Sequence, residues 1–207
     1  MRRPSQARSL RTRARLLEAT VEALVELGYA GAKTTEIADR AGVSQGALYK
    51  HFPTKLDLLD EALAHLLSRL RRRFDDQFSS DPERETDPAG TVFRHMWSVF
   101  TSAELQAGFE LYLAARTDAA LAERVVPVIE HHRTRISHRA RVLFPEAARR
   151  DPNFDGAVQA LVSTLQGAAM VGALLPPESE LAEIQQRSIE RMVRAEFGRM
   201  TPTRSPA

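Results

Sequence analysis

Residues 44–55 read Ser-Gln-Gly-Ala-Leu-Tyr-Lys-His-Phe-Pro-Thr-Lys, a run rich in side chains that can grip a nucleic acid. Gln45 offers a donor and an acceptor side by side, the pattern that the major-groove edge of adenine requires. Tyr49, Lys50, His51 and Lys55 carry donors or charges suited to phosphate oxygens, which set register without reading sequence. Ser44 is a helix cap, so the turn it opens presents a hydroxyl, amide N–H groups and a positive dipole end to an anion. Gly46 takes a side chain away where such a helix would crowd a groove wall. Upstream, Thr34 can reach the opposite backbone strand from the start of a preceding helix. Phe52 suits a core, whereas Tyr49 suits either a core or a phosphate. Caps at Thr34 and Ser44 serve their helices with or without DNA.

Such side chains need a rigid support, and the apolar spacing supplies one. Ile37, Ala38, Val43 and Leu48 let two short helices, at about 34–40 and 44–51, pack across a tight turn at Gly42. This is a helix-turn-helix whose second helix is available to the major groove. Ahead of it, Ala14, Leu17, Val21, Leu24 and Val25 recur at helical spacing from about residue 9 to 27, with Gly28 as a left-handed stop. Behind it, Thr54-Lys55-Leu56-Asp57 forms a capping box. The helix that box opens carries Leu56, Leu59, Leu63, Leu66, Leu67, Leu70 and Phe74 on one broad face, to about residue 75. After a polar break at 79–90, helical patterns follow at about 88–100, 103–116, 118–143, 154–175 and 179–197. Phe144-Pro145 to Pro152 and Leu175-Pro176-Pro177 separate the last three. The pattern predicts an all-α chain of nine helices and no strands, in two domains. A loose basic arm at 1–8, with Arg2, Arg3 and Arg8 in reach of a minor groove, precedes a three-helix DNA-binding domain at 9–54. A second helical domain spans 55–200, and a loose tail follows at 201–207.

The run Ile37-Ala38, Ala41-Gly42-Val43-Ser44, Gly46, Leu48-Tyr49, His51-Phe52 and Lys55 resembles the DNA-binding domain of the TetR family of one-component transcriptional regulators. The resemblance covers about residues 9–60; the rest of the chain shares that family's length and all-helical layout. It implies a homodimer, a palindromic operator and a C-terminal domain that binds a small molecule. By position, it places DNA contacts on Thr34, Ser44, Gln45, Gly46, Tyr49, Lys50, His51 and Lys55. Lys33 departs from the pattern, because many members carry Ser or Thr there in a capping box with the acidic residue three positions on. Lysine cannot accept from an amide, so Thr34 is expected to cap instead, with its helix starting about one residue late.

One helix-turn-helix reads few base pairs, so a second copy is expected. The helices at about 154–175 and 179–197 suit a homodimer surface. The first has a stripe of small residues, Ser163, Gly167, Ala168 and Gly172; the second has an apolar face of Leu181, Ile184, Ile189, Met192, Val193 and Phe197. Trp97, Phe100, Phe109 and Tyr112 are the expected lining of an effector cavity, with His65, His95, Glu110, Arg116 and Gln166 as polar candidates beside them. His131 and His138 share a helix face, but Arg133, Arg135, Arg139 and Arg141 on that helix repel a cation, so no metal site is expected. No phosphate loop, nucleophile elbow or carboxylate pair is in place, so neither a catalytic residue nor a cofactor is expected.

Composition agrees with this reading. The chain has 207 residues, 43% of them hydrophobic and 27% charged, as in soluble globular proteins. It has no cysteine, which excludes a disulfide framework and a thiol nucleophile. No run approaches the roughly 18 apolar residues of a membrane span. The N-terminus lacks the apolar segment of a signal peptide, so a cytoplasmic protein with no membrane partner is expected. Residues 1–60 hold ten Lys and Arg against seven Asp and Glu, whereas 61–207 hold nineteen against twenty. A basic end on a neutral body suits a polyanion. The expected function is a repressor that binds a palindromic operator as a homodimer and is released by a small molecule. The rival keeps the fold but gives the C-terminal domain a protein partner, or dimerisation alone, with no small-molecule ligand.

Overall fold

Proline loses nothing in a helix's first turn, where its missing N–H would have no partner, and the first helix opens on Pro4. This computed structural model describes residues 4–176 and 178–197. Arg2, Arg3 and the expected tail at 201–207 lie outside the described residues. The first helix, α1 (Pro4–Gly31), therefore begins upstream of the start read from apolar spacing. Its buried stripe is Leu16, Ala19, Thr20, Val21, Ala23 and Leu24, while Ala14 and Val25 face solvent. Gly28 interrupts it at φ 68°, ψ 178°, a backbone region open essentially to glycine alone.

The helix-turn-helix follows as α2 (Thr34–Arg40) and α3 (Gln45–His51). Then come α4 (Lys55–Ser80), a single 3-10 turn at Pro82–Arg84, α5 (Pro88–Phe100), α6 (Ala103–Ala115) and α7 (Ala119–Leu143). The chain closes with α8 (Pro145–Arg150), α9 (Phe154–Gly172) and α10 (Glu180–Phe197). Among the described residues there are no strands and ten α-helices, not nine. The extra one is α8, which lies in what the sequence suggests is a separator. Its six residues are too few to display a 3.6-residue repeat, yet Pro145 starts it and Ala147 is buried. Among the described residues no helix is long and apolar enough to cross a membrane.

The helices form two compact units. One contains residues up to Arg69 together with Ala103–Glu130; the other contains Leu70–Ser102 and the chain from His131 onward. In the first, Leu16, Leu24, Ile37, Leu48, Leu59, Leu63 and Phe109 share the core. Each such side chain contributes about 1.5–3 kcal/mol by leaving water. Gly108 of α6 is packed against Leu63 and Leu66, where a Cβ would lie 3.7 and 3.4 Å from their methyl groups. The second unit is organised by aromatics: Phe197 lies 5.3 Å from Phe144 and 5.9 Å from Phe154, edge-on to the latter. Asp87 caps α5 by accepting from Gly90 N at 3.1 Å, and Arg194 of α10 donates to the same carboxylate at 2.6 Å.

Two expected stripes divide between inner and outer faces. On α9, Ser163 and Gly167 are exposed and nothing in the chain lies within 4 Å of a Cβ built on Gly167 or Gly172, whereas Ala168 is buried in its own unit. Ala168 thus leaves the small-residue stripe, because it sits about 100° round the helix from Gly167. On α10, Ile189, Val193 and Phe197 point inward, while Leu181, Ile184 and Met192 are exposed.

Candidate nucleic-acid interface

The turn between α2 and α3 is held from both sides. Gly42 adopts φ 60°, donating to Asp39 O at 3.0 Å while Val43 N donates to Ala38 O at 3.0 Å. Arg15 of α1 reaches over and donates to the carbonyl of Ala41, and a Cβ on Gly42 would come within 2.8 Å of Arg15 Nη2. Ser44 then caps α3, accepting from Ala47 N at 3.2 Å. Leu48 and Phe52 are fully buried, with the Arg13 guanidinium 4.4 Å above the Phe52 ring centroid. Arg13 also donates to His51 O at 3.0 Å and pairs with Glu61. The arginines of α1, which read in the sequence as a basic end, are in part braces for this motif.

With Leu48 inward, the outer face of α3 is Gln45, Gly46, Tyr49 and Lys50, all exposed, Tyr49 at 45%. Residues at i, i+1, i+4 and i+5 share one face, so these side chains project together. His51 is half-buried. Thr34 does not cap α2 as expected. It is the first helical residue; Lys33 holds the cap position with no side-chain bond, and its carbonyl accepts from Ile37 N at 3.0 Å. The helix starts on time because its backbone ladder needs only that carbonyl, and the Thr34 hydroxyl instead lies 3.3 Å from Tyr49 Oη. Lys55 is half-buried, its Nζ 5.1 Å from the Tyr29 ring centroid, and burial holds its pKa below the usual lysine range. The Thr54–Asp57 capping box forms as read, each backbone N–H donating to the other's side chain at 3.0 Å. Hydrogen bonding from Thr54, and then the charge of Arg124 at 3.0 Å, hold Asp57 below the usual carboxylate range.

The model of bacterial regulatory proteins of the tetR family matches residues 16–62. An uncharacterized HTH-type transcriptional regulator of Mycobacterium tuberculosis is 36% identical over 183 residues, 87% of this chain and 92% of the relative. The chain belongs to the TetR family. It is a DNA-binding transcriptional regulator, and α2–α3 is its TetR helix-turn-helix. A solved transcriptional regulator from Rhodococcus sp. Rha1 has the same fold, with a TM-score of 0.67 at 24% identity over 91% of this chain and 97% of that one. The multidrug binding protein EbrR, solved with imidazole, matches at a TM-score of 0.61 and 25% identity over 87% of this chain and 93% of that one.

The residues expected to line an effector cavity divide between the units. Trp97 and Phe100 belong to the second, where Trp97 is half-buried 5.9 Å from Phe93 and Phe100 is buried. Phe109 and Tyr112 belong to the first, their rings 5.8 Å apart, with Phe109 buried and Tyr112 half-buried. Of the polar candidates, His65 pairs with Glu18 at 2.6 Å and His95 with Asp81 at 2.9 Å. Glu110 is exposed and accepts from Tyr29 N at 2.6 Å; Arg116 is exposed. His65, His95 and Glu110 thus meet partners 47, 14 and 81 positions away, which a sequence without distances does not reveal.

Proposed function

We propose that this TetR-family chain is an effector-responsive repressor that binds a palindromic operator as a homodimer and leaves it when a small molecule binds. The observation that carries the reading is the outer face of α3, where Gln45, Gly46, Tyr49 and Lys50 are exposed on a helix whose Leu48 is fully buried. On this reading Gln45 meets a base edge. Ser44, Tyr49, Lys50, His51 and Lys55 meet phosphates, and Thr34 meets the opposite strand. Gly46 supports the same view. A Cβ there would meet nothing closer than Ser44 Oγ at 3.9 Å, so the protein's own packing does not call for glycine.

Residues 9–54 then read DNA, and 55–200 dimerise and hold the effector. The outer faces of α9 and α10 favour dimerisation, with Gly167 open for close helix approach and Val171, Leu174, Leu181, Ile184 and Met192 exposed beside it. The match to EbrR, a multidrug binding protein solved with imidazole, favours a small-molecule effector.

Fragments of genomic DNA retained by the purified protein, re-measured by fluorescence anisotropy, test the reading. Affinity is expected to fall with salt at a log–log slope of about −0.9 per phosphate contact. The double variant Gln45→Ala, Tyr49→Ala should lose about fivefold or more in preference for the retained site, since one good base contact discriminates by about 1–3 kcal/mol. Affinity that ignores salt would refute the phosphate assignments.

A further inference from the structure

Six arginines and no acidic residue precede Glu18 in the sequence. Two of the six act inside the fold: Arg13 holds the end of α3 by donating to His51 O, and Arg15 holds the approach to its start by donating to Ala41 O. Helix α1 is thus pinned at both ends of the DNA-reading helix. Upstream of Leu16 no described residue of α1 is buried, so the turns before Arg13 stand clear of the core. Arg8 and Arg11 lie on those turns. Both are exposed, and among the described residues neither guanidinium has an ion pair or a hydrogen bond. Residues three and four apart share a helix face. Arg8, Arg11 and Arg15 are spaced in that way, so they form one row. Arg15 meets the turn before Ser44, and Arg11 and Arg8 follow about 6 and about 10 Å further along the axis. Their placement opposes the helix's own field, which favours anions at this end, yet the first turn of α1 holds no acid. Cations so placed bring the fold nothing, whereas a polyanion lying on α3 would meet them.

We propose that Arg8 and Arg11 clamp the sugar-phosphate backbone of the operator beside the stretch that α3 contacts, so that the row from Arg15 outward continues the DNA-binding surface. Guanidinium forks match phosphate oxygens, and such contacts add affinity and register without reading bases. Because the chain is helical from Pro4, the backbone under both side chains is ordered before DNA arrives, and its freedom is not lost on binding. The clamp rests on the reading of α3 as the recognition helix, since its phosphates are those next to that helix.

Fluorescence anisotropy of the full chain on a retained genomic fragment, repeated over a range of salt, tests the clamp with the double variant Arg8→Gln, Arg11→Gln. Each phosphate contact adds about 0.9 to the slope of log affinity against log salt. The variant's slope should be shallower by about 1.8 for each subunit bound, so that raising salt from about 50 to about 200 mM costs the native chain roughly tenfold more affinity per subunit. Its preference for the retained fragment over unrelated DNA should be unchanged, and its hydroxyl-radical footprint should lose protected sugars without losing those under α3. Arg8→Lys, Arg11→Lys should keep most of the native slope. Arg149→Gln, Arg150→Gln, which removes the same charge from the exposed end of α8, should keep all of it. The Tm of the first variant should equal or exceed the native value, because only exposed cations at an unfavourable helix end are removed. An unchanged slope and footprint in that variant overturns the clamp, as does a slope that falls equally in the α8 variant. If Lys50→Gln still flattens the slope in that case, the reading of α3 stands without the clamp.

Discussion

At residue scale the sharpest demands are made by backbone geometry. Gly42 turns the chain between the two DNA-reading helices at φ 60°, and the space beside its Cα is occupied by the Arg15 guanidinium that ties α1 to the turn. Gly42→Ala must therefore adopt a left-handed conformation, costing about 1–2 kcal/mol, and must also displace Arg15. Urea unfolding should register a loss of at least that size, accompanied by weaker operator binding; an unchanged midpoint would contradict the turn geometry. Gly42 and Ser44 were legible as turn and cap because each role is local to a few residues. The role of Arg15 was not, since its partners lie 26 and 27 positions away. Lys33 taught the opposite lesson: its side chain is wrong for a cap, yet α2 starts beside it because the carbonyl closes the first turn.

At element scale, amphipathic spacing located nine helices, and the faces they present came from packing. The apolar residues of α10 read as one stripe, but Ile189, Val193 and Phe197 serve their own unit while Leu181, Ile184 and Met192 stand outside it. If that outer face pairs two chains, Met192→Glu, a change at a residue 59% exposed in the single chain, should shift the species in sedimentation velocity from dimer to monomer. Its fold should be unaffected, because no buried contact is lost. A variant that remains dimeric would place the interface elsewhere. Short elements escape such spacing altogether, as α8 did, since a turn and a half holds too few residues to repeat.

At the scale of the whole molecule, the unit that holds the helix-turn-helix also holds α6 and the first part of α7. Glu110 of α6 accepts from Tyr29 N just past the Gly28 break, and Arg124 of α7 pairs with Asp57 in the first turn of α4. Helices assigned from sequence to the effector region thus brace both ends of the DNA-reading motif. A dimer of such chains would set two α3 helices about one DNA turn apart, ~34–36 Å. Inserting about five base pairs, half a turn, between the half-sites of a retained operator should therefore abolish tight binding, whereas inserting about ten should restore much of it. Equal affinity for all three spacings in an anisotropy assay would argue against bivalent recognition.

What the amino-acid order determined alone was whatever depends on neighbours within a turn or two: helical periodicity, the cap at Ser44, the box at Thr54 and Asp57, the bend at Gly42 and the outward set of side chains on α3. Tertiary structure decided which long-range partner each charged group meets. Arg15 on the turn, Glu110 on Tyr29 N, and Arg139 on Asp75 all join segments far apart in the chain, and the direction of a guanidinium or carboxylate follows from the packing of helices whose register only the folded core sets.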